Sequence, residues 1–86
     1  MEFEFDPEKS ASNLHKHGID FLTTQVLWDD ENKVEVPVRT EEEERWMLIG
    51  RIGEKHWSAI FTRREDRTRI ISVRRARKEE VAIYES

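Results

Sequence analysis

Short runs in which hydrophobic and polar residues alternate make up most of the chain, and helical spacing interrupts them near the start and at the end. Phe3 and Phe5 alternate with Glu2 and Glu4, which predicts a short first strand. Asp6-Pro7-Glu8 then predicts a helix start: an N-cap carboxylate, proline at the first helical position, and an acid facing the positive dipole end. That helix should run to about His17 and stop at Gly18 in the left-handed conformation. Asp20 reads as a second N-cap, with Phe21, Thr24, Leu27 and Trp28 on one face of a short second helix. Asp29 to Asn32 is a turn. Val34, Val36 and Val38 alternate with polar neighbours in a strand that Pro37 pushes toward a sheet edge.

Thr40 and Glu41 to Glu44 make an acidic connection. Arg45 to Ile52 reads as a strand with Trp46, Leu48 and Ile52 on one face. Gly53-Glu54 turns the chain, and Lys55 to Thr62 returns. Arg63 to Arg67 is a polar turn, Thr68 to Arg74 a further strand, and Ala76 to Tyr84 a closing helix with Ala76, Glu80, Ile83 and Tyr84 near one stripe. The order β-α-α-β-β-β-β-α predicts an α+β fold: a small antiparallel sheet, two N-terminal helices and one C-terminal helix.

Eighty-six residues fit one domain, 1–86. The absence of cysteine excludes a disulfide framework, a zinc ribbon and a thiol nucleophile, and it suits a reducing cytoplasm. No apolar run reaches the roughly 20 residues that span a membrane, and the acidic Met1-Glu2-Phe3-Glu4 is not expected to be a signal peptide. The net charge of −4 conceals an asymmetry. Residues 45–78 hold 11 Lys+Arg against 3 Asp+Glu, whereas residues 1–44 hold 4 against 13. A basic half of that kind suits a polyanion; the competing reading is a solvated face whose arginines pair with the protein's own acids.

Candidate chemistry is sparse. No nucleophile elbow, P-loop, GxGxxG or HExxH occurs, so a nucleotide-dependent enzyme is disfavoured. His15 and His17, two apart on a helix, face different ways and make a poor metal pair; no cofactor or metal is expected. Asp29, Asp30 and Glu31 could serve carboxylate metal-nuclease chemistry but read more as a turn. Arginine suits bidentate phosphate contacts, and Arg45 with Arg51, or Thr62 with Arg64, share a strand face by parity. Trp46 and Trp57 are base-stacking candidates, with core packing the favoured role.

The ordered pieces Phe5-Asp6-Pro7 with Lys9, Asn13 with Lys16-His17-Gly18 and Phe21, Glu44-Arg45-Trp46 with Ile49-Gly50, Phe61-Thr62 with Arg64, Arg69-Ile70-Ile71-Ser72-Val73-Arg74 with Ala76, and Glu80 with Tyr84 resemble the BrnT toxins. The resemblance spans nearly the whole chain. It implies a RelE-like fold and a ribonuclease toxin of a prokaryotic type II toxin–antitoxin pair that cuts RNA and halts translation. It implies a BrnA-like ribbon-helix-helix antitoxin as partner, with operator DNA reached only through that antitoxin, and no membrane. The chain departs from the family in having Val81 after Glu80 and an acidic net charge. On this footing Arg64 and Arg74, with Arg45 alongside, are the expected phosphate contacts in catalysis. Lys16 and His17 are candidates for substrate contact and proton transfer, and Arg63, Arg69 and Tyr84 for substrate binding. A non-catalytic RNA- or protein-binding module is the alternative; a DNA-binding regulator acting alone is disfavoured because no recognition helix is evident.

Overall fold

A computed structural model describes residues 1–40 and 43–86; the part of the acidic connection at Glu41 and Glu42 lies outside the described residues. The elements are β1 (Glu2–Glu4), α1 (Pro7–His17), α2 (Phe21–Thr24) running into a 3-10 turn (Gln25–Asp29), β2 (Val34–Val38), β3 (Arg45–Ile52), β4 (Lys55–Arg64), β5 (Arg67–Arg75) and α3 (Lys78–Glu85). The expected order and α+β class hold.

Local chemistry sets the boundaries. The Asp6 carboxylate accepts the Glu8 N–H at 2.9 Å, and Gly18, at φ 79°, closes α1 with its N–H on the Leu14 carbonyl at 2.9 Å. The Asp20 carboxylate caps α2 through the Thr23 N–H at 2.8 Å. Pro37 sits on β2, an edge strand, as expected. The sheet order is β1-β5-β4-β3-β2. Strands β2 to β5 form the antiparallel meander. The sheet as a whole is mixed, because β1 pairs parallel with β5, Glu2 opposite Arg67 and Glu4 opposite Arg69.

One sheet face carries the core. Leu48, Ala59, Phe61, Ile70 and Val73 pack there against Ile19, Phe21, Leu27 and Trp28. Trp57 is buried and Trp46 half-buried at its margin, so both serve packing. Gly50 lets β3 approach the 3-10 turn: a Cβ there would stand 3.3 Å from Leu27 Cδ2. The other face is crossed by α3, over the buried Ile49 and Ser58 and the half-buried His56. In α3, Glu80 is buried and Tyr84 half-buried, but Ile83 faces solvent, so the expected stripe narrows to Glu80 and Tyr84.

Helix α1 docks through polar groups. Its buried residues are Ser10 and Asn13, while Leu14 is exposed. Asn13 donates to the Ile19 and Val73 carbonyls at 2.8 and 2.9 Å and accepts the Val73 N–H at 3.2 Å. It thereby stands in for a strand on the β5 edge beyond β1. Asn13→Ala should cost about 2–3 kcal/mol, since buried backbone partners are left unsatisfied. A urea melt checks this; a loss below about 0.5 kcal/mol would sink it.

Candidate functional site

The face crossed by α3 is covered at one end only; Arg45, Arg64, Arg67 and Arg69 gather at the other, and Arg74 stands at the margin of α3, where it holds Glu80. Across β2–β3, Val38 opposes Arg45. Across β4–β5, Thr62 opposes Arg69, Arg64 opposes Arg67 and Ser58 opposes Arg74. Directly opposed residues share a face, and side chains alternate along each strand. Arg45, Arg64, Arg67, Arg69 and Arg74 therefore emerge on the non-core face, around the half-buried Val36, Val38, Met47 and Ile60. Arg64 facing Arg67 is a like-charge cross-strand pair, which costs stability.

A bulge makes this set possible. The β4–β5 register jumps between Ile60, opposite Ser72, and Phe61, opposite Ile70, leaving Ile71 as the extra residue. Simple alternation along β5 would put Arg69 and Arg74 on opposite faces. The bulge shifts the phase, so Ile70 and Val73 both enter the core while Arg69 and Arg74 both leave it.

Each of these arginines already holds a carboxylate. Arg45 and Arg64 share Glu43 at 3.7 and 4.0 Å, Arg67 meets Glu2 at 3.7 Å, and Arg69 meets Glu4 at 2.8 Å. Arg74 forms a two-pronged pair with Glu80 at 2.8 and 2.9 Å. Glu80 also accepts the Ser58 hydroxyl at 2.8 Å and the Arg77 N–H at 2.9 Å. The Arg74 guanidinium, together with the Arg77 and Ser58 donors, outweighs burial and pulls the Glu80 carboxyl down to about 2; the same pair raises Arg74. The acidic and basic halves of the sequence are thus largely folded onto each other. The structure joins both readings of the charge pattern: the arginines are paired with the chain's own acids and also share one face.

Arg63 and Tyr84 lie elsewhere. Arg63 points to the core-side face, its guanidinium 5.4 Å from the Trp46 ring and 5.3 Å from the Phe61 ring, paired with Glu35. The Tyr84 hydroxyl donates to Asp30 at 2.8 Å, and its ring meets His56 edge-on. Burial and the Asp30 carboxylate raise the Tyr84 phenol, which makes it a latch for α3 more than an acid. Burial alone would raise Asp30, but donors from Asn32, Tyr84 and Arg51 outweigh it and hold the carboxyl below its usual range. Arg51 contributes its backbone N–H to Asp30 at 2.8 Å.

Lys16 and His17 line a groove of about 210 Å³ between α1 and β5, with Lys9, Ser12, Ile71 and Ser72. Ser72 belongs to the arginine face by register, so the groove opens onto the edge of that face. Among the described residues no three His, Asp or Glu side chains converge to hold a metal ion. Arg67, Glu43 and Lys9 were not among the expected site residues, although Lys9 stood in the first motif piece and Glu43 in the acidic run before Arg45.

No helix of the structure is long and apolar enough to cross a membrane. The sequence model of a family described as "Ribonuclease toxin, BrnT, of type II toxin-antitoxin system" matches residues 5–80. No curated protein matches the chain.

Proposed function

Since the chain belongs to the BrnT family of ribonuclease toxins of type II toxin–antitoxin systems, we propose that it cuts RNA without a metal ion, on the open sheet face. The RNA's own 2′-hydroxyl attacks the adjacent phosphate; a 2′,3′-cyclic phosphate forms and the 5′-oxygen leaves. Three demands follow: a proton removed, a dianionic phosphorane stabilised, and the leaving oxygen protonated. The observation that carries this reading is the set of Arg45, Arg64, Arg69 and Arg74 on one face, which supplies fixed positive charge to the phosphorane. Lys16 and His17, at the edge of that face, are the candidates for proton transfer and substrate contact. Arg63 and Tyr84 take structural roles in this scheme, and Arg67 joins the phosphate contacts.

In the cell the reaction halts translation in the cytoplasm. A BrnA-like ribbon-helix-helix antitoxin is the proposed partner, and operator DNA is bound through that antitoxin. The test is incubation of the purified protein with RNA in EDTA. Cleavage to 2′,3′-cyclic phosphate ends is expected. Salt-sensitive binding without cleavage would instead make the domain a binding module, and cleavage abolished by EDTA would overturn metal independence.

A further inference from the structure

The arginines of the sheet face start from occupied states. A phosphate that reaches Arg69 or Arg74 displaces Glu4 or Glu80, so part of the attraction is spent on exchange of partners. The α1–β5 groove differs. Among the described residues the side chains of Lys9, Lys16 and His17 take part in no ion pair or hydrogen bond, and all three are exposed. Lys9, Ser12 and Lys16 follow i, i+3, i+7 spacing, so they lie along one flank of α1. Their rise is about 10 Å along the helix axis. Asn13, on the same flank, is anchored on Val73 and fixes that flank against β5. The exposed Ser72 faces it from the strand. The negative helix end opposes an anion only within the last turn; Lys9 and Ser12 lie before it, and Lys16, within it, brings a positive charge of its own.

Resting on the ribonuclease reading, we propose that this groove is a backbone-holding subsite for one strand of RNA. Lys9 and Lys16 take phosphates, the Ser12 and Ser72 hydroxyls line the path, and the strand then passes over the β5 edge to the arginine face. Single-stranded RNA is the occupant because the unpaired cations match a row of phosphates and the groove is continuous through Ser72 with the proposed cutting site.

The experiment measures binding of a short labelled RNA strand with 2′-O-methyl groups throughout, which removes the attacking hydroxyl. Lys9→Ala should weaken binding roughly fivefold at low salt and lower the salt slope by about 0.7, the value for one phosphate contact on a single strand. Lys9→Arg should restore both. Lys55→Ala removes the same charge from the first residue of β4 and should leave binding as it was. Equal losses in Lys9→Ala and Lys55→Ala would overturn the subsite, since overall charge alone would then explain them. A parent protein that fails to cleave natural RNA, yet loses binding specifically on Lys9→Ala, would refute the ribonuclease reading and leave the subsite standing. Cleavage with no specific dependence of binding on Lys9 would refute the subsite alone.

Discussion

Glu80→Ala lowers stability by roughly 3 kcal/mol, a large share of the 5–10 kcal/mol that about sixty to a hundred residues ordinarily provide. The side chain is 11% exposed, and its loss strands Arg74, the Ser58 hydroxyl and the Arg77 N–H together. The pH dependence follows from the same contacts. The Glu80 carboxyl titrates at about 2 in the folded chain against an ordinary 4.5. Its contribution, roughly 3 kcal/mol by linkage, is fully present above about pH 4.5 and is lost as the pH falls toward 2. Asp30 and Asp20, also held below their usual range, add to the same acid window. Urea melts from pH 7 to pH 3 check both points. Glu80→Gln should flatten the acid limb; a parent and a Glu80→Gln variant with parallel curves would sink the assignment.

Arg64→Ala cuts RNA cleavage by roughly a hundredfold or more and leaves the melting curve nearly unchanged, because Arg64 is exposed and its Glu43 contact is 4.0 Å long. Its neighbour behaves in the opposite way. Arg63→Ala loses a stacked guanidinium over Trp46 and Phe61, so it costs about 1 kcal/mol and changes cleavage far less. The two variants carry the same charge and differ only in the face from which the side chain is removed. Single-turnover cleavage of one RNA, with a urea melt for each variant, separates them. Equal cleavage in Arg63→Ala and Arg64→Ala would remove the sheet face from the mechanism.

Where local chemistry decides, the amino-acid order was readable: Asp6-Pro7 opening α1 and Gly18 closing it, Pro37 at an edge, the Gly53 turn. Three features were hidden because their causes are not local. The parallel partner of β1 lies 65 residues away along the chain, as the contact of Glu4 with Arg69 shows. The bulge at Ile71 breaks the two-residue parity that sequence reading relies on, so Arg69 and Arg74 read as residues of opposite faces. Asn13 and Ser10 form the inner face of α1, where a search for apolar periodicity looks for leucine and finds Leu14 on the outside. For the candidate site, the arginines were legible as a group. Their division between faces was not, nor were the carboxylates each holds, because both depend on strand register.

The parallel pairing of β1 with β5 also orders events in time. Each hairpin of the meander can close as soon as its second strand exists, because its partners are neighbours in sequence. The first strand cannot. It must wait, unpaired, until β5 has been synthesised, and then close a loop that spans most of the chain. Glu2 and Glu4 reach Arg67 and Arg69 only at that moment. Arg67 and Arg69 therefore stay without those counter-charges until that long loop has closed, so the docking of β1 is also the step that neutralises that edge of the face.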